Sequence, residues 1–147
     1  MAVLSVKDLR VRLQTALAAL SGWRAARTVG DVFGLDPNSY AHQAFAVDAV
    51  STTDLGNSRQ HAGSISEGAR CVSEIRVRWT YRLKPKAQSD SLSSAYDAET
   101  AIRVAVMGVA RSNLHLRYLS AARIIEPRGE WLIGDLRFSA IHTLSLE

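Results

Sequence analysis

Residues Arg70 to Lys84 read RCVSEIRVRWTYRLK, and their alternation decides the fold. Side chains on a strand point in turn to opposite faces. One face therefore carries Cys71, Ser73, Ile75, Val77, Trp79, Tyr81 and Leu83. The other carries Arg70, Val72, Glu74, Arg76, Arg78, Thr80, Arg82 and Lys84. An apolar, aromatic face backs an almost wholly basic one, and β-branched and aromatic residues are frequent throughout. This is an antiparallel strand with one face on a core and the other toward water or a partner. At about 3.3 Å per residue it runs on the order of 50 Å, longer than most strands, so it must bend, bulge or project. The plainer alternative is that the arginines are the solvated face of an ordinary sheet.

Outward from this strand, the chain offers single-domain proportions. Its 147 residues suffice for one core, and 47% hydrophobic with 22% charged residues is globular composition. The net charge of +4 permits an acidic partner without requiring one. The lone cysteine, Cys71, precludes an intramolecular disulfide, fits a reducing compartment and reads as packing. The start, MAVLSVKDLRVR, lacks the apolar stretch of a signal peptide, and no apolar run reaches the length of a membrane span.

Upstream, Ser5 to Leu20 reads as an amphipathic helix with Ser5 as cap over Asp8 and a stripe of Leu9, Leu13, Ala16, Leu17 and Leu20. Ser21-Gly22 stops it, and Lys7, Arg10 and Arg12 form a solvated face. Trp23 to Tyr40 is rich in turn formers and reads as loop; Tyr40 to Ser51 alternates as a strand. The polar stretch Thr52–Glu67 is a long loop, expected to be mobile until a partner orders it.

Downstream, Pro85 closes the strand and Lys86–Ser91 is a polar loop. A helix from about Ser94 to Arg111 follows, capped by Ser94 and Asp97, with a small-residue stripe of Ala98, Ala101, Ile102, Ala105 and Val109. Leu116–Ile125 alternates as a strand, placing Leu119, Ala121, Arg123 and Ile125 opposite Tyr118, Ser120, Ala122 and Ile124. Glu126-Pro127-Arg128-Gly129 is a hairpin turn, and Trp131–Leu146 returns with Leu136, Phe138, Ala140, His142, Leu144 and Leu146 on one face. The fold class is α+β: a mainly antiparallel sheet of about four strands, two helices on one face, and long projecting strands or loops.

Chemical motifs are absent. The four histidines have no ligand spacing, and there is no CxxC, HExxH, P-loop, GxGxxG or GxSxG. His142, on an apolar face, reads as a satisfied core or interface histidine. No cofactor, metal or catalytic residue is nominated, and the expectation is a non-enzyme. Trp79 and Tyr81 lie on the opposite face from Arg76, Arg78, Arg82 and Lys84, so base stacking and phosphate contact cannot share one surface. Those four cations are expected to form a protein interface, meeting carboxylates rather than DNA.

The leading helix VKDLRVRLQTALAAL, the strand EIRVRWTYRL, the helix ETAIRVAVMGVA and the closing pair YLSAARIIEP with GEWLIGDLRFSAIHTLSLE occur in a suggestive order. In that order the chain resembles the lambda-type tail terminators of long, non-contractile-tailed bacteriophages. The resemblance implies a structural virion protein: a ring, commonly hexameric, at the head-proximal end of the tail, assembled in the host cytoplasm. It implies as partners other copies of itself, the tail tube protein and the head-proximal connector. DNA would pass through without specific binding, and no membrane is involved. A head-closure or connector subunit is the neighbouring alternative; a nucleic-acid-binding α+β domain and a small enzyme are alternatives of other classes.

Overall fold

The computed structural model describes residues 5–26, 41–54, 69–111 and 114–144. Helix α1 spans Val6–Ala18, and the Ser5 hydroxyl accepts the Asp8 N–H at 3.1 Å, as its sequence predicts. Leu9, Leu13 and Leu17 are fully buried beneath it. Arg10 departs from the solvated face: its Nε donates to the Val47 carbonyl at 2.8 Å. This satisfies a backbone acceptor beyond the reach of the short edge strand beside it.

Five strands form one sheet among the described residues: β1 (Arg24–Ala25), β2 (Ala44–Asp54), β3 (Ala69–Arg82), β4 (Leu114–Ile125) and β5 (Trp131–Leu144). Their order is β1-β2-β3-β5-β4, with β1 parallel to β2 and every other pair antiparallel. The long strand is central. It pairs with β5 without a break from Ala69↔Leu144 to Arg82↔Trp131, so neither of these two strands projects beyond the other. The irregularities fall on its neighbours instead, at Ala49/Ser51 in β2 and at Tyr118/Ser120 in β4. A bulge lets a flanking strand follow the twist of a long straight pair.

The second bulge corrects the expected facing of β4. Tyr118 pairs with Phe138 and Ala121 with Leu136, so these two residues, on opposite faces by strict alternation, share the core face. Leu119 is the extra residue and is exposed. The β4–β5 turn is as expected, with Gly129 at φ 72° and its N–H bonded to the Glu126 carbonyl.

Helix α2 spans Gln88–Met107, starting six residues earlier than its sequence predicts. The polar segment read as a loop is a 3-10 turn, Pro85–Ala87, running straight into the helix. Proline at the start loses no needed N–H. Ser91 fastens the junction, accepting the Lys84 N–H at 3.1 Å and donating to the Ala87 carbonyl at 2.9 Å. Ser94 and Asp97 therefore lie inside the helix rather than at its cap.

Both helices pack on one face of the sheet. Their core joins Leu9, Leu13 and Leu17 of α1 and Ala95, Ile102 and Val106 of α2 to Phe45, Ile75, Val77, Trp79, Leu136 and Phe138 of the strands. Trp79 is at its centre, edge-on to Trp23 at 6.1 Å between ring centroids. A second tie is ionic: Arg123 of β4 makes a two-point contact with the nearly buried Glu99 of α2. That contact, ahead of the opposing effect of burial, raises the Arg123 pKa.

Candidate functional site

The face of the sheet away from the helices carries the charges. Arg76 pairs across β2 with Asp48 and across β5 with Arg137, and Arg78 pairs with Asp135. Arg76 Nε lies 3.4 Å from Asp135 Oδ2, and Arg137 bridges Glu74 at 3.3 Å and Asp135 at 3.8 Å. Burial, and then Arg76, lower the Arg78 pKa; Asp135 and Asp48 act against this, while Arg137 adds to it. The middle of the basic face is thus a lattice of Arg76, Arg78 and Arg137 with Asp48, Glu74 and Asp135, formally neutral. In an antiparallel sheet, opposite charges on facing strands hold register.

The structure accordingly divides the four predicted interface cations. Arg76 and Arg78 lie in this compensated centre. Arg82 and Lys84 lie at the strand's end, where they line a cleft of about 700 Å³ together with His42, Leu83, Lys86 and Glu130. An adjoining hollow of about 400 Å³ adds Tyr81, Asp90, Ser91 and Ser94. Lys86 and His42 were not singled out from sequence; each comes from a different element, and only the fold brings them to Arg82. Among the described residues, Arg82, Lys84 and Lys86 make no ion pair.

His42 is held in place by this cluster. Its Nδ1 accepts the Arg82 backbone N–H at 3.1 Å, and its ring meets Tyr81 edge-on at 4.6 Å. Burial first, then the charges of Arg82 and Arg24, lower its pKa from 6.5. The unfolded chain therefore binds this proton more readily than the native one. Stability supplied by neutral His42 is present above pH 6.5 and declines as pH falls through 6.5 toward the depressed native value. The expected result is a melting temperature that drops over this window in the native chain and drops less in His42→Gln. Calorimetry at a series of pH values checks it; identical profiles would refute it.

At the other end of the core face, polar groups are buried. Ser73 Oγ lies 2.7 Å from His142 Nε2 and 2.8 Å from Thr52 Oγ1. His142 is therefore a satisfied core histidine, as read. A Ser–His contact is one component of nucleophilic chemistry, but Ser73 and His142 are 0% and 1% exposed, which bars a substrate. Among the described residues no group of three or more His, Cys, Asp or Glu could hold a metal ion, and no helix is long and apolar enough to cross a membrane. The expected loop Thr52–Glu67 is corrected at its start, where Thr52, Thr53 and Asp54 continue β2 because Ser73, Val72 and Cys71 of β3 pair with them; the rest of that stretch, and with it the expected mobility, lies outside the described residues.

The sheet's β4 edge is open among the described residues: apart from a single bridge between Leu114 and Arg111 at its start, β4 pairs with β5 alone, and it presents Leu119, Ile124 and Ile125, 46%, 68% and 42% exposed. An edge of this length with apolar side chains is material for strand pairing or packing with another chain.

No protein-family model matches the chain, and no curated protein matches it. Among solved structures it is similar to a chain in "Virion of native gene transfer agent (GTA) particle", with a TM-score of 0.51. The likeness covers 90% of this chain and 92% of that one at 15% identity, so what is shared is the fold over nearly the whole of both.

Proposed function

We propose that this protein is a phage-type structural virion protein, and more narrowly a tail terminator. Its copies form a ring, most simply a hexamer, that caps the tail tube, halts tube growth and offers a docking face to the head-proximal connector. The observation that carries the reading is the fold shared, end to end, with a chain from a gene transfer agent virion. The order of elements behind the tail-terminator resemblance agrees with it. The open β4 edge supplies a physical route to assembly: a surface that meets a different surface on the next copy closes into a ring when the rotation permits. The protein has a structural rather than a catalytic role, and DNA passes through the ring without specific binding.

Light scattering after size exclusion, with electron micrographs of the same fractions, tests the proposal. A closed ring, alone or on tail tubes, is the expected result. A strict monomer at high concentration, also in the presence of tubes, would overturn it. A ring that binds the connector and ignores the tube would move the assignment to head closure.

A further inference from the structure

We propose that the cleft at the end of β3, formed by Arg82, Lys84, Lys86 and His42 over Leu83, is a docking site for an acidic, extended segment of a partner protein. The site lies within a single subunit and does not depend on ring formation.

Its first support is the contrast within one strand. Arg76 has a carboxylate from β5 beside it, and Arg78 is flanked by Asp135 and Asp48. Two turns of the pleat further on, Arg82 and Lys84 make no ion pair among the described residues, and Lys86 adds a third charge from the 3-10 turn. Among the described residues the acid lining the cleft is Glu130, which lies 3.7 Å from Arg128, a cation it shares with Glu126. Three cations on the wall of one hollow repel each other, and a bound carboxylate relieves this.

The shape of the hollow selects the class of ligand. At about 700 Å³ it lies within the usual range of ligand clefts, about 300–1,000 Å³. Buried Leu83 forms part of its lining, and Tyr81 and His42 pack edge-on beside it. Leu83 itself is 1% exposed, so an extended peptide can place a carboxylate on the cations and an apolar side chain on the His42–Tyr81 pair and the alkyl stems of the lysines. A nucleic-acid duplex meets a hollow only at its rim, whereas a single extended peptide strand can enter it. With Nδ1 occupied by the Arg82 N–H, neutral His42 keeps Nε2–H as a donor to the incoming carboxylate.

The test uses the full chain and a fluorescent peptide alternating glutamate with leucine, read by anisotropy. Binding is expected, weakening with salt and falling about tenfold or more in Arg82→Gln/Lys84→Gln/Lys86→Gln. The control variant Lys7→Gln/Arg12→Gln/Arg117→Gln removes as many exposed charges elsewhere and should bind as the native chain does. In the native protein the peptide should shift the His42 imidazole resonances and leave those of His115, out on β4, unmoved. This readout needs no variant to fold. No binding by the native chain, equal loss in both triple variants, or shifts at His115 without His42 would each overturn the proposal. So would tighter binding of duplex DNA that the first variant abolishes, since the cleft would then be a phosphate site.

Discussion

Gly134→Ala is expected to destabilise the protein by about 3 kcal/mol, at the upper end for overpacking a core. Gly134 is opposite Trp79 in the unbroken β3–β5 ladder, and the Trp79 indole lies directly on its bare Cα. A methyl group there would overlap three atoms of the ring. Neither partner can retreat cheaply. The indole is fully buried and edge-packed on Trp23, and Gly134 has strands on both sides, facing Trp79 and Arg123. For a domain of this size the loss corresponds to a fall in melting temperature of about 10 °C. Urea unfolding of the two single variants and the double variant isolates the cause. Trp79→Leu costs about 3 kcal/mol alone through its cavity, but in that background Gly134→Ala should cost less than about 1 kcal/mol. A Gly134→Ala protein within about 0.5 kcal/mol of the native chain would refute the close-packing account.

This contact also marks how far the fold could be read from sequence. The alternation of Arg70–Lys84 is local, so the two-faced strand and the burial of Ile75, Val77 and Trp79 were legible. So were the Ser5 cap, the leucine stripe of α1 and the Gly129 turn, each a matter of neighbours in sequence. Gly134 inside a strand pattern is a known sign of close approach, yet nothing local says that Trp79 is what approaches. The β4 bulge escaped because no glycine or proline around Leu119 marks an extra residue, and one extra residue inverts every facing after it. The start of α2 escaped because serine-rich QSDSLSS has weak helix propensity. Its helical state comes instead from Pro85 and the Ser91 hydrogen bonds. The two-residue β1 is below any periodic signal and exists only because β2 offers it a partner.

The charged face shows the same limit more sharply. Glu74, Arg76 and Arg78 share one strand face and were legible; Asp48, Asp135 and Arg137 come from other strands and become neighbours only through register. The distinction between compensated Arg76 and Arg78 and uncompensated Arg82, Lys84 and Lys86 therefore belongs to tertiary structure. It also changes which variants are informative. Glutamate at positions 76 and 78 would stand among Asp48, Glu74 and Asp135, so any loss of assembly could be a loss of the fold itself. The cleft residues avoid this confusion.

Asp135→Ala is the variant that addresses the lattice directly, with an expected cost of about 2–3 kcal/mol. Asp135 is the shared acid: it contacts Arg76 and Arg137 and is opposite Arg78. The Arg76 and Asp135 side chains are only 20% and 21% exposed, so solvent cannot fully replace the lost carboxylate. Removing one partner of such a pair leaves charge in a partly dehydrated place, and here the lattice keeps three guanidiniums against two carboxylates, Asp48 and Glu74. Removing both partners should cost less than the sum, because the stranded charge goes too. The double variant Arg76→Met/Asp135→Ala is therefore expected to recover about 1 kcal/mol relative to additivity. Because the lattice is half-buried, raising salt should restore little of the Asp135→Ala loss, whereas it would restore most of an exposed-charge effect. Urea unfolding of the four-member cycle at low and high salt measures both quantities. Strict additivity, or full rescue by salt, would mean that these side chains are a solvated surface and that Arg76 and Arg78 are as available to a partner as Arg82 and Lys84.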